Sequence, residues 1–121
     1  GALCYISRED FDSVSGFDPD YFLHVEDIDL CRRVGEAGGQ VIYTPLASAL
    51  HYGSTSKVSA TFVEWNKARG LAHYFATNAK TKIGEFFGRS SILLFAPMLI
   101  FRSLIIRGYM SFRQFLRDTL S

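Results

Sequence analysis

Between Phe22 and His51 the chain carries the side chains best suited to chemistry. Glu26-Asp27-Ile28-Asp29-Leu30-Cys31-Arg32-Arg33 sets three carboxylates and two guanidiniums in eight positions, and a lone histidine, His51, follows a pair of β-prone segments divided by Pro45. Adjacent carboxylates at the start of a helix can supply a general base, and a histidine at a strand end can reach a metal ion. The same acids in a first helical turn also complement the positive end of the helix dipole, each contributing about 0.3–1 kcal/mol, and on residue types alone that structural role is the commoner one. Asp29 is expected to be structural, because it points about 200° around the helix from Asp27. Its spacing to Arg33 suits an ion pair along one helix face. Asp18 and Asp20 flank Pro19 in a turn, where such residues commonly serve the backbone. A lone histidine at a strand end is usually a hydrogen-bonded core residue.

The elements that must position these groups are legible from local signals. Gly1 to Ile6 is apolar, as a buried strand end would be, and Ser7-Arg8-Glu9-Asp10 starts a short helix with a capping serine that Gly16 stops. Phe11 and Val14 share the inward face of that helix. A second helix is predicted over about Glu26 to Ala37, closed by Gly38-Gly39, with an apolar stripe of Ile28, Leu30, Cys31 and Val34. Gln40 to Tyr43 reads as a strand that Pro45 ends, and Ala47 to His51 as a second extended piece before the polar loop Tyr52-Gly53-Ser54-Thr55-Ser56. A long helix follows over about Ser59 to Ala79, weakened by roughly 1 kcal/mol at Gly70. Trp65, Tyr74, His24 and His73 are expected to pack or hydrogen-bond, and Lys67 and Arg69 to lie on a solvated helix face.

With 121 residues, 48% of them hydrophobic and 15% aromatic, the chain has enough apolar surface for one small domain and is not a disordered sequence. A net charge of +1 gives no reason to expect a nucleic-acid partner. The charge is unevenly placed, however: most of the acid lies in residues 9–36, whereas residues 67–117 are basic and apolar together, a mixture suited to anionic headgroups or a phosphate-bearing substrate. Cys4 and Cys31 are too few for a disulfide framework or a zinc site and are expected as reduced core thiols. Residues 90–106 form the most apolar stretch, with Pro97 near the middle and Arg102 inside. It is short for a spanning helix, so a membrane-surface helix is preferred, with a packed core or dimer helix and a true span as the alternatives.

Taken together, Gly1-Ala2, Arg8, Gly16-Phe17-Asp18, Tyr21-Phe22, Glu26-Asp27-x-Asp29-Leu30-Cys31-x-Arg33, Gly38, Val41, Tyr43, Pro45, Ala47 and His51 resemble the second half of the family 2 glycosyltransferase domain over about residues 1–56. The bacterial members that build rhamnose-containing and other surface polysaccharides are the ones it most resembles. The resemblance implies an α/β architecture, the C-terminal part of a GT-A fold in residues 1–56, followed by a helical, membrane-associated tail in 57–121. It implies inverting transfer of a sugar from a nucleotide-sugar donor to a glycan or lipid-linked acceptor in cell-surface polysaccharide synthesis. In that scheme Asp27 is the base, preferred over Glu26, which would position the acceptor or raise the basicity of the pair. Asp18, Gly1 and Ala2 would contact the acceptor, Lys57 and Arg33 the donor diphosphate, and His51 a divalent ion, Mg²⁺ or Mn²⁺. Two departures from the family pattern stand out: His24 where tyrosine is frequent, and Gly53 one position earlier than in many relatives.

The chain starts at Gly1 and reads as a piece of a longer protein, inert alone, with the nucleotide-binding half and its Asp-x-Asp motif expected upstream. Its expected place is the cytoplasmic face of the inner membrane, as a peripheral protein. The rival expectation is a non-catalytic membrane-surface interaction module, in which the acidic cluster and His51 are structural and the basic apolar tail is the functional part.

Overall fold

The computed structural model describes residues 3–51 and 58–120, which form five helices: α1 (Arg8–Ser13), α2 (Glu26–Glu36), α3 (Ala60–Thr77), α4 (Lys82–Ser90) and α5 (Ile92–Leu120). The chain divides into two compact units, residues 1–57 and 58–121. In the first, the Ser7 hydroxyl oxygen accepts the Asp10 N–H at 3.0 Å, so the helix start encoded by the capping serine forms as its sequence predicts. The chain leaves α1 through Ser15 and Gly16, both at positive φ, and the Gly16 N–H returns to the Phe11 carbonyl at 2.8 Å. Asp18 then builds the turn, its Oδ1 accepting the Asp20 N–H at 2.9 Å and its carbonyl the Tyr21 N–H at 3.2 Å. Beyond α2, Gly38 takes φ +90° and the Gly39 N–H bonds the Val34 carbonyl at 2.9 Å, which closes the helix where Gly38-Gly39 indicates.

The α/β expectation is overturned: among the described residues there is no strand and no sheet. Leu3 to Ile6 is irregular, with Tyr5 and Cys4 exposed, so Cys4 is not a core thiol. Residues 39–51 are irregular and exposed throughout, including Val41, Ile42, Tyr43, Leu46 and Leu50, apart from a turn at Pro45-Leu46 in which the Leu46 N–H reaches the Thr44 hydroxyl. β-branched and aromatic residues suit a pleated surface, but a strand exists only when a neighbour takes up its backbone N–H and C=O groups. No described segment does so here.

In the second unit Ser59 caps α3, accepting the Phe62 N–H at 3.1 Å, and Thr81 caps α4 through the Gly84 N–H at 3.0 Å. α3 packs on both α4 and α5, and the contact is made by small residues. Ala68, Ala72 and Ala76 are buried on α3, Gly88 on α4, and Ala96 with Leu99 on α5. Leu71, Ile92 and Phe95 close over the Ala68–Ala96–Leu99 cluster, and the Phe75 and Phe95 rings lie 5.9 Å apart. Trp65, expected to pack, is 48% exposed, and Phe62 beside it is 42% exposed. α5 runs well past the apolar stretch 90–106, to Leu120, and it tolerates Pro97 in its second turn, where the ring removes a single backbone donor.

Gly88 sets the spacing of α3 and α4. A Cβ there would lie 2.5 Å from the Ala76 nitrogen and 2.6 Å from its Cα, and backbone cannot swing aside as a side chain can. Gly88→Ala is therefore expected to force the helices apart and cost about 1–3 kcal/mol. Urea denaturation followed by circular dichroism measures it, with Gly35→Ala, whose added Cβ meets nothing within 4 Å, as the tolerated control.

Candidate functional site

α2 begins after an unusual backbone. His24 and Val25 both lie in the left-handed region, at φ 66° and 73°, and Val25, the N-cap, makes no side-chain capping bond. For a β-branched residue this conformation costs on the order of 1–3 kcal/mol and persists only where surrounding structure imposes it; such strain gathers at functional sites. Val25 is buried at 4% exposure, which supplies the anchoring. The turn delivers Glu26, Asp27 and Asp29 together into the first turn of α2.

The three carboxylates have different surroundings. Glu26 and Asp27 are half-buried neighbours. Asp27 Oδ1 accepts the Ile28 N–H at 2.9 Å, whereas Glu26 Oε2 is buried and meets no hydrogen-bond partner among the described residues. A buried carboxylate oxygen without a donor is costly, and such an atom calls for a functional or ligand-bound explanation. Asp29 is a core residue at 3% exposure. Its Oδ1 accepts from Arg32 Nη2 at 3.0 Å and its Oδ2 from Arg33 Nε at 2.7 Å. Arg33 Nη1 in turn donates to the Val14 carbonyl at the end of α1, and Arg32 Nη1 bonds Glu36 Oε2 at 2.5 Å. Burial works against the charged form of Arg32, but the hydrogen bonds and charges of Glu36 and Asp29 outweigh it and raise the guanidinium pKa.

The Asp29–Arg33 pair thus forms as the i, i+4 spacing indicates. The stripe expected on α2 is only partly right: Leu30 is buried, Ile28 is 53% exposed, and the buried polar member is Asp29. Arg33 has two of its nitrogens engaged, Nε with Asp29 within α2 and Nη1 with the Val14 carbonyl at the end of α1, while its buried Nη2 meets no hydrogen-bond partner among the described residues. Asp18 is half-buried in its turn with Oδ1 occupied by the Asp20 N–H. Gly1, Ala2 and Lys57 lie outside the described residues. His51 is exposed at the end of the irregular segment, and among the described residues it joins no group of three His, Cys, Asp or Glu side chains placed to share an ion.

Two parts of the site escape sequence reasoning in different ways. Arg32 as a second partner for Asp29, and as the link to Glu36, was readable from the i, i+3 and i, i+4 spacings. The His24–Val25 twist was not readable, because although histidine is among the types enriched at positive φ, a β-branched valine is rarely found there.

No protein-family model matches the chain, and no solved structure matches it. Among curated proteins, the rhamnosyltransferase WbbL of Escherichia coli (strain K12) is 44% identical over 52 residues, which are 43% of this chain and 20% of that protein. An N-acetylglucosaminyl-diphospho-decaprenol L-rhamnosyltransferase of Mycobacterium tuberculosis (strain CDC 1551 / Oshkosh) is 42% identical over 52 residues, covering 43% of this chain and 17% of the relative. The match thus spans a fifth or less of the length of these relatives. It supports a glycosyltransferase-like relationship and the transferase class.

The Asp29 network is testable without any activity. Asp29→Ala leaves two guanidiniums that are only about a quarter exposed without their shared carboxylate, and the unfolding free energy should fall by about 3 kcal/mol. Urea denaturation checks the loss; a change of less than about 0.5 kcal/mol, the scale of a solvent-exposed pair, would show that the network does not hold α1 to α2.

Proposed function

We propose that these residues belong to an inverting sugar transferase of the family 2 type, with Asp27 as the general base. The observation that supports it most is the half-buried Glu26–Asp27 pair, held on the first turn of α2 by a strained entry and by the Asp29 network. Partial similarity to two rhamnosyltransferases agrees with this reading. Asp27 accepts the proton of an acceptor hydroxyl as its oxygen attacks the anomeric carbon. The new C–O bond forms on one face of the sugar while the bond to the diphosphate oxygen breaks on the other, and the diphosphate leaves with the electron pair. Glu26 beside it helps position the acceptor.

The donor in this proposal is a nucleotide-sugar, rhamnose being the sugar named for both relatives. The acceptor is a sugar on a lipid-linked diphosphate, the kind of molecule that the name of the Mycobacterium tuberculosis relative specifies. Such an acceptor places the reaction at a membrane, on the cytoplasmic face where a nucleotide-sugar is at hand. Donor binding is assigned to sequence outside these 121 residues, in keeping with the small share of the relatives that is matched.

Asp27→Asn, made in the full-length protein, is expected to lower transfer by about 10²- to 10⁴-fold, the usual loss for a general base, with donor affinity unchanged. Glu26→Gln should be milder. Steady-state transfer rates and donor titration on both variants check this. Greater damage from Glu26→Gln in a folded protein would move the base to Glu26, and full activity in both would remove the pair from the reaction.

A further inference from the structure

The two halves of α5 have different surroundings. Up to Ser103 the helix touches α3 through Ala96 and Leu99; from Leu104 to Thr119 every residue is exposed. A helix of this length without packing is marginal in water, since an isolated helix shorter than about 12–15 residues rarely holds and longer ones in proteins draw their stability from a buried face. The overhang nevertheless carries large apolar side chains, among them Phe112 at 58% and Phe115 at 62% exposure. Something must cover that face for the helix to persist.

The sequence of the overhang identifies the cover. At about 100° per residue, Phe101, Leu104, Ile105, Phe112, Phe115 and Leu116 fall within an arc roughly 120° wide. Arg102, Arg107, Arg113 and Arg117 lie on the opposite arc with Ser103, Gln114 and Asp118, interrupted by Ile106 and Met110. Four arginines face a single acid, so the polar side is strongly cationic. Arg113 sits over the Tyr109 ring, 5.8 Å from its centroid, at the border of the two arcs. An aromatic and aliphatic face backed by arginines is the composition of a helix lying in a membrane interface.

A spanning orientation fits less well. Lys82–Thr119 is long and apolar enough to cross a membrane by length and composition. Its uncharged run, however, is only residues 90–101, between Arg89 and Arg102, about 18 Å of helix against a hydrocarbon thickness of about 30 Å.

We propose that residues 101–119 of α5 lie in the plane of an anionic bilayer surface, with the Phe101–Leu116 arc in the acyl boundary and the four arginines on headgroup phosphates. This deepens the membrane part of the proposal above and does not depend on its chemistry. A lipid-binding assay contains neither donor nor acceptor, so its failure and the failure of the transfer assay are distinguishable.

The experiment sediments the 121-residue protein with vesicles of phosphatidylcholine alone and of phosphatidylcholine mixed with phosphatidylglycerol, across a salt series. Binding should favour the anionic vesicles and weaken with salt. Each arginine near the surface contributes roughly five-fold, so replacing Arg102, Arg107, Arg113 and Arg117 with Gln should lower affinity on the order of several hundred-fold. Because the side chains of Phe101, Phe112 and Phe115 are exposed, replacing them with Gln keeps the rest of unit 58–121 folded and should also abolish binding. In a Trp65→Phe background, tryptophans placed by Phe101→Trp and Phe115→Trp should report equal depth to lipid-borne quenchers. Unequal depths with salt-resistant attachment to neutral vesicles would overturn the proposal in favour of a span. Absence of lipid binding with self-association through the phenylalanine face would overturn it in favour of a second copy of the chain.

Discussion

The arrangement of the first unit depends on one buried carboxylate. Asp29 accepts from Arg32 and Arg33 of its own helix, and Arg33 passes the connection to the Val14 carbonyl at the end of α1. A lone carboxylate at that depth would carry a desolvation cost of several kcal/mol, and two guanidiniums in good hydrogen-bond geometry offset it. The effect reaches beyond stability. Because these bonds fix how α2 stands against the end of α1, they also fix where its first turn presents Glu26 and Asp27. The strained pair His24–Val25 is tolerated at the entrance because the helix it feeds is already held.

The second unit follows a different rule. Its interior is mostly alanine and glycine, with Leu99 among them, which lets α3 and α4 approach until backbone nearly touches backbone at Gly88 and Ala76. Close approach gains dispersion contacts but buries little apolar area per residue. The bulky residues that would build a water-driven core instead point outward, including Phe86 and Phe87 on α4 and Leu93 and Leu94 on α5.

The two units also divide the chemistry. The Glu26–Asp27 pair, the strained entry to α2 and the Asp29 network lie in residues 1–57, and the apolar, cationic face of α5 in 58–121. The similarity to rhamnosyltransferases covers 43% of the chain.

What the sequence determined by itself was whatever depends on neighbours within a few positions. Ser7 and Ser59 cap helices, Gly16 and Gly38 end them, Asp18 forms its turn and Asp29 meets Arg33, because each of these bonds closes within two to five residues. Tertiary structure alone decided the rest. Val41, Ile42 and Tyr43 have the residue types of a strand, but a strand needs partners from elsewhere in a fold, and among the described residues none is supplied. Periodicity placed Ile28 in the α2 stripe, yet the structure buries Asp29 and exposes Ile28, since a paired carboxylate can occupy a core position only where its partners are already oriented. On α3, alanine rather than phenylalanine faces inward, because helix separation is set by Gly88 on another element, which no local pattern on α3 reports.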